Sequence, residues 1–151
     1  MIIDITQEFI NTSTPGKGTI TYGIDYNRSI HSLEILSAEW LVKTFGGDIV
    51  LLTESRRQGE VTPDFEWRGH QWENKNLSTK VFTTIDDQLR KANRQIHQSK
   101  GGILLDFSSS NASFETIVNM VKKSADRRIK DSIPIIVRKK NDFIVLHQEK
   151  K

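Results

Sequence analysis

The order of apolar and polar positions divides the chain into short elements with clear punctuation between them. Residues 29–45 run without an interior breaker, and Glu34, Ala38, Leu41 and Phe45 recur at i, i+4, i+7 and i+11, the spacing of one core-facing helical stripe. Gly46-Gly47 then reads as a helix stop. The run over 48–53, Asp-Ile-Val-Leu-Leu-Thr, is of buried-strand type. Beyond a polar stretch at 54–60, two segments rich in β-prone aromatics, 61–67 and 70–75, flank Arg68-Gly69 and predict a tight hairpin. The pattern predicts a helix over 85–98, closed by Lys100-Gly101-Gly102, and a buried strand over 103–107. A Ser/Asn loop leads to a helix over 113–125. A second hairpin follows, 134–139 with 143–147, joined through Lys140-Asn141-Asp142. Ahead of these elements, residues 1–28 read as a loosely ordered lead-in, with turn residues at 11–18 and a candidate strand over 19–26.

The central order is therefore helix, strand, strand, strand, helix, strand. It predicts an α/β (α+β) fold in which helices pack on a mixed sheet. A length of 151 residues suits one domain. That domain is expected to comprise a lead-in over 1–28, a core over 29–107, and a C-terminal helix and hairpin over 108–151.

Composition narrows the chemistry. There is no cysteine, which excludes disulfides and thiolate metal sites; any metal must be held by carboxylates, imidazoles or carbonyls, which favours hard ions. The longest apolar run, 49–52, is far short of the roughly 20 residues that span a bilayer, and no membrane partner is expected. The start, Met1-Ile2-Ile3-Asp4, lacks the features of a secretion signal. Charge is divided unevenly: residues 1–74 carry 6 Lys/Arg against 11 Asp/Glu, residues 75–151 carry 16 against 8. An acidic half followed by a basic half suits metal-holding carboxylates beside a phosphate-holding surface, although charges interleaved for solubility would look the same.

The informative stretch is Pro63-Asp64-Phe65-Glu66-Trp67-Arg68-Gly69-His70-Gln71-Trp72-Glu73-Asn74-Lys75. With a two-residue turn at Arg68-Gly69, Trp67 pairs with His70, Glu66 with Gln71, Phe65 with Trp72 and Asp64 with Glu73. Cross-strand partners share a face, so the two carboxylates would stand about 5 Å apart at Cβ, and Lys75 would point to the same face. Like charges placed opposite one another destabilise a hairpin; a shared proton or a divalent cation removes that cost. One or two carboxylates plus waters are what magnesium takes. Such an ion activates water and neutralises a phosphate, while Lys75 would orient the water or stabilise developing charge. An incidental ion pair on a solvated face is the competing reading.

These residues resemble the PD-(D/E)XK nuclease superfamily: Pro63-Asp64 is similar to its PD, Glu73-Asn74-Lys75 to its ExK, and residues 29–107 to its αβββαβ restriction-endonuclease-like core. The residue between the Glu and the Lys is usually apolar there; here it is Asn74. More narrowly, Gly46-Gly47-Asp48-Ile49, Leu51-Leu52-Thr53-Glu54, Thr62-Pro63-Asp64, Trp72-Glu73-Asn74-Lys75 and Gly101-Gly102-Ile103 are similar to the C-terminal nuclease toxin domains of contact-dependent growth inhibition (CdiA-type) proteins. The resemblance implies a metal-dependent endonuclease with Asp64, Glu73 and Lys75 as catalytic residues. It implies Asp64 and Glu73 as ligands of Mg2+ (or Mn2+), tRNA favoured over DNA, and a cognate immunity protein. Its site of action would be cytoplasmic, reached by delivery within a larger secreted toxin.

Further candidates surround this core. Nucleases of this fold often add a carboxylate from the first helix. Glu34, on the apolar stripe, is a better third metal ligand than Glu39, which lies with Ser32 and Lys43 on the polar side. On the second helix Gln88, Lys91 and Gln95 share a face, with Arg94 close by, as candidates for substrate contact; for Gln95 or Lys91 taken singly, an ordinary exposed face is the stronger reading. Glu54 is a weaker candidate near the same rim. His31, His70, His97 and His147 show no metal-ligand spacing, and Trp67 and Trp72 suit a core or a base stack. Lys122, Lys123, Arg127, Arg128 and Lys130 form a dense basic group suited to a phosphate backbone or to a solvated helix end. Other function classes stay open: a DNA endonuclease of a mobile element, a metal-independent ribonuclease using His31 or Lys75 with a glutamate, and a non-enzymatic immunity or adaptor protein.

Overall fold

The hairpin around Arg68-Gly69 is the simplest place to see sequence become structure in this computed structural model, which describes residues 1–53, 62–96 and 101–149. Arg68 (φ 53°) and Gly69 (φ 78°) both lie in the left-handed region, the backbone that a two-residue hairpin turn matching strand twist requires. Glycine adopts it without cost. Arg68 is held there by its side chain, which donates to Thr12 Oγ1 (2.8 Å) and Ser13 Oγ (3.0 Å) and lies 3.9 Å over the Phe9 ring. The turn joins β4 (Phe65–Trp67) to β5 (His70–Asn76), paired Phe65 to Trp72, Glu66 to Gln71 and Trp67 to His70.

Eight strands form one mixed sheet in the order β1-β8-β7-β6-β5-β4-β3-β2. The remaining strands are β1 (Ile2–Asp4), β2 (Ile20–Tyr22), β3 (Ile49–Leu51), β6 (Ile103–Asp106), β7 (Ile135–Lys139) and β8 (Asp142–Gln148). β5, β6 and β7 are parallel neighbours, as are β2 and β3; the other pairs are antiparallel. Among the described residues four helices flank the sheet: α1 (Thr6–Asn11), α2 (Ser32–Phe45), α3 (Phe82–Ile96) and α4 (Phe114–Arg128). None of the described helices is long and apolar enough to cross a membrane.

Strand alternation sorts two cores. Ile103 and Leu105 of β6 point to α3 and α4, joining Ile85, Leu89, Val121, Ile135 and Val137. Leu104 points the other way, to Leu41, Phe45, Phe65, Trp67, Trp72 and Ile136 beneath α2. Both tryptophans are thus core residues whose indoles are satisfied, Trp67 by the Gly46 carbonyl and Trp72 by the Trp67 carbonyl, each at 2.9 Å. Gly46 ends α2 at φ 74°, and a Cβ there would stand 1.8 Å from the Thr14 carbonyl oxygen.

Three sequence expectations are corrected. The segment 1–28 is not a loose lead-in: β1 pairs with β8, α1 buries Phe9, and β2 joins β3. The first helix starts at Ser32 rather than 29, because the Asn27 side chain accepts from the Ser29 and Ile30 N–H groups and holds a turn there. The third continues to Arg128, whose guanidinium is anchored to Asp86 (2.7 Å). Glu54, the polar stretch 54–60, the start of the first hairpin strand at Val61, His97 and Lys100 lie outside the described residues.

Candidate active site

Asp64 stands immediately before β4, and the ladder stops one pair short of it. Its N–H bonds the Trp72 carbonyl (2.9 Å) instead of facing Glu73. Its side chain closes the gap: Oδ2 accepts the Asn74 N–H at 2.7 Å. The carboxylate therefore acts as a surrogate strand and is fixed against β5. Glu73 and Lys75 alternate with Trp72 and Asn74, which belong to the α2 side, so they face the α3 side.

Glu73 is 2% exposed, and Lys75 Nζ lies 3.2 Å from its Oε2. The other oxygen, Oε1, is buried with no hydrogen-bond donor among the described residues. Asp64 lies within hydrogen-bonding reach of the same carboxyl. Two ionised carboxylates only accept, so that contact is a bond only when one of them carries a proton. Burial first, then Asp64, push the Glu73 carboxyl up to about 9 from an ordinary 4.5, against an opposing pull from Lys75. An orphaned buried oxygen beside a second carboxylate is a donor set that a divalent cation would satisfy as well as a proton does. Among the described residues no three His, Asp or Glu side chains come together to hold a metal. Asp64 and Glu73 would thus be the two protein carboxylates, with water completing the shell.

Glu34 sits on the α2 side, half-buried, and accepts the Tyr26 hydroxyl proton at 2.6 Å. Burial, the Glu34 bond and the charges of Glu34 and Asp64 hold that hydroxyl far above its ordinary range. Tyr26 is thus bonded to Glu34 and feels the charge of Asp64, and the His31 ring lies tilted against its ring at 5.0 Å. No local pattern marked it.

Asn74, polar on a central strand, is satisfied within the sheet. Its Nδ2 donates to the Leu104 carbonyl (3.3 Å) and its Oδ1 accepts from Asn76 (3.0 Å). The chain of contacts continues through Ser37, 3.2 Å from Asn76 Oδ1, to buried Asp106, which also takes Arg138 at 2.9 Å. This polar seam lies under α2, on the opposite face from Glu73.

α3 packs over β5 and β6. Its core stripe is Ile85, Leu89, Ala92 and Ile96, while Asp86 and Asn93 turn to α4, where they meet Ser124 and Arg128. Gln88 and Gln95 fall on the opposite flank, towards β4 and the carboxylates. Lys91 is rotated outward and paired with Asp87 (3.1 Å), and Arg94 is exposed. The structure thus brings Asp64, Glu73 and Lys75 together, sets Gln88 and Gln95 on the overlooking flank, and places Lys91 and Arg94 on the outer surface. Among the described residues neither α3 nor α4 packs extensively on β3 or β4. Val50, Glu66 and Gln71, in register across three strands, line a cleft of about 440 Å³ there. Glu66 and Gln71 are two positions from Asp64 and Glu73, so the cleft opens roughly 7 Å from the carboxylates.

No protein-family model and no curated protein matches the sequence. Among solved structures, a chain of the CdiA-CT/CdiI toxin and immunity complex from Burkholderia pseudomallei is similar at 17% identity, with a TM-score of 0.58, over 87% of this chain and 100% of that one. At that identity the likeness is one of fold: this mixed eight-stranded sheet with four helices is an architecture found in a toxin–immunity pair.

Proposed function

We propose that the protein is a PD-(D/E)XK-type endonuclease that hydrolyses phosphodiester bonds with a divalent metal, Mg2+ or Mn2+, held by Asp64 and Glu73. The observation that carries this reading is the Glu73 carboxyl, buried with one oxygen lacking a donor, beside Asp64 and 3.2 Å from Lys75. The element order α2-β3-β4-β5-α3-β6 supports it, and so does the similarity to a chain of a toxin and immunity complex. When bound, the cation would activate water and neutralise charge on the phosphate. Asp64 is held by the Asn74 N–H and so keeps its oxygens in one place. Lys75, paired with Glu73, would meet the charge that develops on the phosphate oxygens. Gln88 and Gln95 would orient substrate or water, and Glu34 would act behind Tyr26, as an outer ligand or through the Tyr26 hydroxyl. Lys91 and Arg94 would contact phosphates away from the scissile bond.

In this reading the chain is a bacterial toxin domain acting in the cytoplasm, on tRNA in preference to DNA, and blocked by a cognate immunity protein. The test is incubation with total tRNA and with plasmid DNA, each in magnesium and in EDTA. Cleavage that needs magnesium and is abolished by Asp64→Ala and by Glu73→Ala, with the fold retained, is the expected outcome; retained activity in both variants would refute the assignment. A second reading, a non-enzymatic partner protein, is favoured by four exposed aliphatic side chains at and before the start of α2: Ile24, Ile30, Leu33 and Leu36. It predicts no cleavage with any divalent metal and a tight complex with one protein.

A further inference from the structure

We infer that the outer surface shared by α3 and α4 is a track for a nucleic-acid backbone, leading to the Asp64–Glu73–Lys75 site from about two helix widths away. This rests on reading that site as a nuclease site and names the substrate class it serves: a polynucleotide long enough to reach α4, rather than a short oligonucleotide.

The two helices form one rigid platform. Asp86 accepts from Ser124 (2.8 Å) and from Arg128 Nε (3.1 Å) and Nη2 (2.7 Å), and Asn93 donates to the Arg128 carbonyl (3.3 Å). Lys123 Nζ lies 4.8 Å over the Phe82 ring. Seven cations stand on these helices; Lys122 shares the Asp126 side of α4, and Arg90, Lys91, Arg94, Lys123, Arg127 and Arg128 share the surface that α3 and α4 form together. The acids among them are Asp86, used in the clamp, and Asp87, which answers Arg90 (2.8 Å) and Lys91 (3.1 Å). Asp126 turns to the other side of α4, 3.4 Å from the N-terminal amine, and Glu115 lies in its first turn. A surplus of four positive charges therefore remains on one exposed surface, where charges kept only for solubility would alternate in sign.

The cations are also in line. Lys123 and Arg127 occupy the part of the α4 surface nearest α3, as the Phe82 contact and a 3.9 Å approach of Arg127 to Asp86 show. Arg90 and Arg94 continue across the top of α3. Lys91 lies beyond them, beside the flank that carries Gln88 and Gln95 above the carboxylates. With helix axes 8–10 Å apart, the path is on the order of 20 Å, or about six base-pair steps of a duplex.

The test is fluorescence anisotropy with labelled tRNA and with a labelled RNA trinucleotide, too short to span the track, in EDTA so that binding is read without cleavage. The proteins compared are the wild type, the double variant Lys123→Gln/Arg127→Gln, and a control, Lys17→Gln/Lys43→Gln, whose two lysines are exposed elsewhere. For tRNA we expect the α4 variant to lose about tenfold in affinity. Its slope of log affinity against log salt should flatten by about 1.5, the release of counterions from two phosphates. The control should bind tRNA within twofold of wild type, and the trinucleotide should distinguish none of the three. An unchanged tRNA affinity and slope in the α4 variant overturns the proposal. So does an equal loss in the control, which would make net charge the cause, or an equal loss on the trinucleotide. Cleavage in magnesium is scored separately: tRNA bound along α4 but never cut would refute the nuclease site and leave the track standing.

Discussion

Replacing Glu73 by glutamine keeps the side chain's shape, removes its ionisation, and gives Asp64 an amide donor. In the metal-free protein this should abolish a pH dependence of stability that wild type carries. The folded-state value of Glu73, about 9, lies above its ordinary 4.5, so the folded protein holds a proton that the unfolded chain has released. The stabilising contribution is therefore complete below 4.5 and is lost as pH rises towards 9. Across that window one proton is at stake, which is about 1.4 kcal/mol per pH unit. Between pH 6 and 8 wild type should lose roughly 3 kcal/mol relative to Glu73→Gln. For a domain of this size that is roughly 5–10 °C in Tm. Thermal denaturation of both proteins in EDTA at pH 6, 7 and 8 measures it. All other titrating groups are common to the two proteins, so the difference reports Glu73 together with its interaction with Asp64. Added magnesium should reverse the trend in wild type, stabilising it more at pH 8 than at pH 6, since ligands must be deprotonated. Parallel Tm–pH curves for the two proteins would refute the reasoning, because they would mean that Glu73 ionises in the fold as it does in water.

Lys75→Met should lower kcat for magnesium-dependent cleavage by about 100-fold while leaving magnesium affinity near wild type, as measured by single-turnover kinetics and titration calorimetry. Asp86→Ala leaves the buried Ser124 hydroxyl and the Arg128 guanidinium without their acceptor; urea denaturation at pH 7 should show a loss of about 2–3 kcal/mol. Because hydrogen bonds from Arg128, then Ser124, hold Asp86 down to about 2 from 3.8, the advantage of wild type over this variant should shrink as pH falls from 4 to 2, read by acid denaturation. Gly46→Ala should cost at least about 2 kcal/mol, because alanine at φ 74° is strained and its Cβ would meet the Thr14 carbonyl; a chemical-denaturation midpoint equal to wild type would refute that.

The elements legible in the sequence were those specified by near neighbours. Arg68-Gly69 set the hairpin turn, aromatic and polar alternation set its register from Phe65 to Trp72, and Gly46-Gly47 ended α2. Glu73 and Lys75 two residues apart on one strand had to share a face, so two of the three catalytic candidates were placed by pleat geometry alone. What lay beyond reach depended on contacts far apart in the chain. β1 exists because Ile2 meets Gln148, and three residues carry no periodicity that could announce this. The ladder ends at Phe65 because Asp64 turns its carboxylate to the Asn74 N–H, a choice between side chain and backbone that spacing cannot express. Asn74 looked out of place on a buried strand, and is not, because Leu104 and Asn76, brought alongside by the sheet, satisfy it. Residue types and local periods thus determined which groups were available and which could share a strand face. Tertiary packing decided which of them were taken out of water, and so made Glu73 a buried carboxyl with an unsatisfied oxygen rather than one more exposed acid.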